Sequence, residues 1–158
     1  MKKKRSPLLP WLPTLVVLLT LLYLTFQSPQ QTTEESGLVQ RWLMSLFEAF
    51  NDSGEVPAWV YDMHTVRSLA HIPEYLLLGI ALWVGFKSVT KRMVFTCIWT
   101  LLTGGIIGLL DEGLKELLPT REFDLGDWWL DLVGLTIALV LCWGCWTIRR
   151  HHTAQRYE

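Results

Sequence analysis

Apolar residues in this chain are gathered into four blocks separated by polar stretches. Leu8 to Phe26 and Val94 to Leu110 hold no charged residue. Trp128 to Ile148 holds only Asp131, and Leu69 to Phe86 holds His71 and Glu74 near its start. A helix needs about 20 residues to cross a hydrocarbon layer of roughly 30 Å. The blocks therefore predict transmembrane helices at about 8–26, 69–86, 94–110 and 128–148. Between the first two, Leu38, Val39, Trp42, Leu43, Leu46, Phe47 and Phe50 recur at helical spacing and form one stripe. That stripe predicts an amphipathic helix at about 36–50, lying in the membrane interface or across the tops of the spans as a lid. Asn51 to Pro57 is a turn-rich break. The expected fold is all-α: one membrane domain over residues 1–158, with four transmembrane helices and an outer interfacial helix.

Charge gives these blocks a direction. The net charge of −1 over 158 residues hides a sharp sorting. Lys2, Lys3, Lys4 and Arg5 precede the first block, Lys87, Lys91 and Arg92 separate the second from the third, and Arg149, Arg150 and Arg156 follow the fourth. Ten of the fourteen Lys and Arg thus share one side, which the positive-inside rule assigns to the cytoplasm, with both termini. Every acid but Glu158 falls on or near the other side. Tryptophans mark the same two boundaries, with Trp11, Trp83, Trp143 and Trp146 at the inner one and Trp59, Trp128 and Trp129 at the outer one. The first block follows a basic run like a secretory signal, but it is long and Thr25-Phe26-Gln27-Ser28-Pro29 is a poor cleavage site; an uncleaved span is expected. Cys97, Cys142 and Cys145 all lie inside predicted spans, so no outer disulfide is expected. Cys142-Trp-Gly-Cys145 has redox spacing but sits in lipid, where small packing residues are the simpler account.

The candidate chemistry lies at the outer ends of three spans. At about 1.5 Å per residue from Lys87, Glu74 stands roughly 20 Å up, His71 roughly 24 Å and Arg67 roughly 30 Å. Glu74 is therefore below the outer surface, where an ionisable group must face protein, water or a partner charge. Arg67, His71 and Glu74 share one helix face, and Pro73 frees a backbone carbonyl beside them. Asp111 and Glu112 end the third block, followed by Lys115, Pro119, Arg121 and Asp124. Asp127, Asp131 and Gly134 share a face at the start of the fourth, where the positive end of a helix favours carboxylates. Gly104 and Gly108 form a small-residue face on the third span that invites close helix approach.

Two motifs here resemble the VanZ-like membrane proteins. One is a basic residue, His, Tyr and Gly at four-residue spacing, present as Arg67, His71, Tyr75 and Gly79. The other is Asp-Glu-x-x-Gln, then Pro-Gly-Arg, then Asp, Asp and Gly, present as Asp111, Glu112, Pro119, Arg121, Asp127, Asp131 and Gly134. Lys115 stands where the family has Gln, and Thr120 where it has Gly. The first change adds a cation; the second alters the turn. The family is named for a protein conferring low-level resistance to teicoplanin, so the resemblance implies a role at the bacterial cell envelope, in the cytoplasmic membrane. It implies no reaction.

Several readings of the cluster follow. Arg67 and Arg121 can pair with Asp111, Glu112, Asp127 or Asp131 and tie the helix ends together as structure. In an enzyme of the outer leaflet, His71 and Glu74 serve as the acid–base pair, with Asp111, Glu112 and Asp127 in the catalytic set. Arg67, Tyr75, Lys115, Arg121 and Asp131 then bind the substrate, a membrane lipid or lipid-linked envelope precursor. The carboxylates leave a divalent cation open as a cofactor. A third reading is binding without turnover, of a lipid or of a lipoglycopeptide antibiotic. A fourth is transport, but no ionisable residue continues into the inner half unless a homo-oligomer, formed through Gly104 and Gly108, supplies one. No Ser or Cys nucleophile accompanies His71, which disfavours an acyl-transfer triad. No nucleic-acid partner is expected.

Overall fold

A computed structural model of the chain describes residues 6–51, 55–118 and 123–154. Most of these residues are helical, with no strand among them. A 3-10 turn, Leu9–Trp11, leads into α1 (Leu12–Thr25); then follow α2 (Pro29–Phe50), the single-turn α3 (Ala58–Tyr61), α4 (Met63–Val89), α5 (Met93–Glu116) and α6 (Leu125–Ala154).

Capping explains why several helices start before the hydropathy blocks do. Ser28 and Gln31 form a reciprocal capping box, with Pro29 in the first turn, so α2 begins nine residues ahead of Leu38, the first residue of its apolar stripe. Asp62 caps α4 by accepting the amides of His64 and Thr65, each at 3.2 Å, and the Thr65 hydroxyl at 2.5 Å. The Thr65 hydroxyl, ahead of the two amides and the His64 charge, holds the Asp62 carboxyl below its usual range. Pro73 is exposed and α4 continues unbroken past it. Helix α5, the third predicted span, runs past Asp111 and Glu112 rather than ending there, which places Lys115 on the same helix as both.

The helix α4 is the centre of the bundle, touching α1, α2, α3, α5 and α6, with α6 as its main partner. Close approach depends on missing side chains. A Cβ on Gly134 would collide with the carbonyl oxygen of Ile72 and stand 3.0 Å from the amide nitrogen of Leu76, so α6 rests directly on the α4 backbone. Gly104 sits against Leu135, and Gly108 against Asp131 and Trp128, all on α6 of the same chain. The small-residue face read as a route to an oligomer is therefore taken up by intramolecular packing. Leu21, Tyr75, Leu78, Leu82 and Leu135 form the core, flanked by Trp11 and Phe86 with ring centroids 5.0 Å apart.

Outside this core, α1, α5 and α6 present apolar side chains outward, among them Leu19, Leu102, Leu110, Val140 and Ile148. Such a surface suits lipid rather than water. Three helices, α4, α5 and α6, are each long and apolar enough to cross a membrane. The first expected span reaches that standard only when counted with α2, from which it turns by 111°. Its course is nonetheless that of a crossing. Trp11 meets Phe86 near the end of α4, and Thr25 bonds Asp111 near the end of α5, so α1 runs antiparallel to α4 along its length. Helix α2 then lies across the start of α4. Its Gln40 donates to the Val60 carbonyl at 2.7 Å, and Phe47 meets Trp59 edge-on at 6.0 Å. The chain is a multi-pass membrane protein.

Candidate functional site

Where α4 begins, α5 ends and α6 begins, the bundle buries a group of charges that water would otherwise solvate. Glu112 and Asp131 are fully buried, Lys115 is 5 % exposed and His71 is 7 % exposed. Charged side chains persist at such positions only when paired. The ammonium of Lys115 bonds one oxygen of Glu112, three residues earlier on α5, and stands 4.0 Å from Asp111 and 3.8 Å from Asp127. The second oxygen of Glu112 accepts the backbone amide of Asp124 at 3.2 Å. Asp111 in turn accepts the hydroxyl of Thr25 from α1. One lysine thus gathers carboxylates from two helices.

The imidazole of His71 completes the group. Its Nδ1 lies 2.8 Å from Asp131 Oδ1, which accepts the Nδ1 proton and fixes the ring. Its Nε2 faces two groups of opposite kind, the ammonium of Lys115 at 3.2 Å and the carboxylate of Asp127 at 3.4 Å. When Nε2 carries a proton, Asp127 can accept it; when it does not, Lys115 can donate to it. Each state of the ring has a partner already in place. Tyr75 stacks on His71, with ring centroids 6.3 Å apart and an angle of 22°. Its hydroxyl and Asp131 Oδ2 are buried without a hydrogen-bond partner among the described residues.

A cavity of about 160 Å³ opens beside this group. Arg67, His71 and Glu74 line it from α4, and Asp111 and Lys115 from α5, so the predicted shared face of α4 does look onto one space. Thr25 and Leu21 on α1, Gln27 in the elbow, and Thr32, Glu35, Ser36 and Val39 on α2 close the other side. The polar residues from α1 and α2 were not among the sequence candidates. Their signal was faint, because α2 reads by its apolar stripe and a Thr at the end of a span is common. Helix α2 acts as the lid over this cavity in its first half and rests on α3 in its second.

Other pairings differ from those the sequence suggested. The carboxylate that orients His71 is Asp131, not Glu74, because Gly134 brings α6 against the α4 backbone one turn away. The cation that ties the helices together is Lys115. Among the described residues Arg67 makes no ion pair, and Arg121, with Pro119 and Thr120, lies outside those residues. His71, Glu112 and Asp131 each offer a ligand atom, all within 4.8 Å of one another, as a divalent cation would need. The Lys115 ammonium already stands against two of these three residues. A second cation beside it would meet strong repulsion at low dielectric, so this donor set fits the tethered ammonium and not a divalent ion.

A protein-family model described as VanZ/LLP1 matches residues 11–148. No curated protein and no solved structure matches the chain.

Proposed function

The chain belongs to the VanZ/LLP1 family, and from that premise we propose that it is an envelope protein of the bacterial cytoplasmic membrane whose buried site binds, and by acid–base chemistry modifies, the headgroup of an outer-leaflet lipid or lipid-linked precursor. The observation that carries this reading is His71. Asp131 holds its Nδ1, while Nε2 has Lys115 on one side and Asp127 on the other. A base at this position takes a proton from an attacking water or hydroxyl, and Asp127 balances the imidazolium that forms. The same ring then returns the proton to the leaving oxygen. Little has to move in either direction, and such preorganisation is what general acid–base catalysis requires.

A second reading, binding without turnover, is favoured by a different observation. Both ring nitrogens of His71 are engaged by neighbouring side chains, as they would be in a network that only shapes a pocket. One experiment separates the two. Cells producing the wild-type chain, His71→Gln or Asp127→Asn at equal membrane levels are compared for their lipid and envelope-precursor profiles and for teicoplanin tolerance. The catalytic reading expects a species that appears or disappears with the wild type alone, its rate falling about 100-fold or more in His71→Gln. Profiles identical across wild type, variants and empty cells would end it. Retained tolerance with an unchanged profile would point to the binding reading.

A further inference from the structure

Two charges on the cavity wall are left over by the network described above. Lys115 is shared among Glu112, Asp111 and Asp127, Asp111 also takes the Thr25 hydroxyl, and Glu35 accepts from Gln27 at 2.7 Å. Arg67 and Glu74, both half-buried and both lining the cavity, make no ion pair or hydrogen bond among the described residues. They do not pair with each other, since they lie seven residues apart on α4, about two turns or roughly 10 Å along the axis. A cation and an anion held apart on one wall, at membrane depth, each call for a bonded partner that the described residues do not supply.

We propose that this cavity takes a zwitterionic, amine-bearing phosphate headgroup, with its phosphate at Arg67 and its ammonium at Glu74. This rests on the headgroup-binding reading above and names the class of ligand. The guanidinium offers a planar fork suited to phosphate oxygens. Glu74, with Asp111 beside it and Glu35 on the facing side of the cavity, offers acceptors to an ammonium's three N–H donors. A headgroup carrying only negative charge would satisfy Arg67 and leave Glu74 facing it unpaired. A neutral one would satisfy neither. Leu21, Leu24, Val39 and Val66 line the same space and suit the apolar start of a glycerolipid.

The test uses the full-length chain, purified in detergent and exchanged with vesicles of equal phosphatidylethanolamine and phosphatidylglycerol, with retained lipid read by native mass spectrometry. Wild type should retain phosphatidylethanolamine about tenfold over phosphatidylglycerol, the scale of one charge-assisted contact. Glu74→Gln should lower phosphatidylethanolamine retention about tenfold and leave phosphatidylglycerol unchanged, whereas Arg67→Ala should lower both. Soluble phosphoethanolamine is then added. Displacement of the lipid supports the proposal with the headgroup alone as ligand; no displacement, with selectivity kept, supports it with the acyl chains required. Equal retention of the two lipids by wild type, a preference for phosphatidylglycerol, retention of neither, or selectivity unchanged in Glu74→Gln would each overturn it. Because the readout needs no turnover, selective binding without any His71-dependent product would remove only the acid–base reading. A His71-dependent product without that selectivity would remove only the headgroup assignment.

Discussion

Glu112 is fully buried on α5, and its two oxygens face different donors, the Lys115 ammonium and the amide of Asp124. Removing the ammonium leaves a buried carboxylate facing one amide, close to Asp111 and Asp127, which lose the same cation. Breaking a buried pair from one side costs more than the pair contributes when intact. Lys115→Met should therefore destabilise the protein by about 3–5 kcal/mol, read as a lower Tm by tryptophan fluorescence in micelles. Adding Glu112→Gln should restore part of that loss, since the two residues belong to one network. A Lys115→Met protein as stable as wild type would show that solvent, not lysine, balances these acids. The lysine also explains why a ligand set of metal type is better described as an ammonium site. Lys115 decides that point.

At the scale of elements, α4 and α6 meet backbone to backbone, and glycine permits it. Gly134 has no room for a methyl group against Ile72 and Leu76, whereas Gly144, ten residues further along α6, has no atom within 4 Å of where its Cβ would be. Gly134→Ala should force the helices apart and cost about 1–3 kcal/mol or more, while also pulling Asp131 from His71. Gly144→Ala should be neutral or stabilise by up to about 1 kcal/mol, because Ala is the better helix former. Comparing the two by thermal unfolding tests the packing directly, and equal Tm values would contradict it. The same geometry links fold to site. Asp131 lies one turn before Gly134, so the closest helix contact is also what delivers the carboxylate to Nδ1.

For the whole molecule, the arrangement of α1 sets the orientation argument. It runs antiparallel to α4 from Phe86 to the level of Asp111, and α2 then folds over the end that carries the charges. If the basic flanks face the cytoplasm, α2 and the cavity face outward. In a background lacking Cys97, Cys142 and Cys145, Ser45→Cys on α2 should react with a membrane-impermeant maleimide in intact cells. Ser88→Cys, near the end of α4 beside Lys87, should react only after permeabilisation. Both serines are exposed, so access and not burial decides the result. The opposite labelling pattern would invert the topology and place the cavity in the inner leaflet.

Much of this molecule could be read along the chain. Hydropathy is a property of consecutive residues, so the apolar blocks gave three crossing helices and the course of a fourth, together with the amphipathic α2. Depth is also linear along a helix, which is why Arg67, His71 and Glu74 were placed on one submerged face and do line one cavity. Partners are another matter. That Asp131 rather than Glu74 holds His71, that Lys115 sits among four neighbours, and that Thr25 and Glu35 help enclose the cavity depend on how helices rotate and how closely they approach. Thr25 and Asp111 are 86 positions apart, and no local spacing joins them. The sequence by itself determined which residues had to leave water and how deep they lay, because burial follows from composition along a helix. Only the tertiary structure decided which charge answers which, because a hydrogen bond at 2.8 Å is set by packing at Gly134 and not by the order of residues.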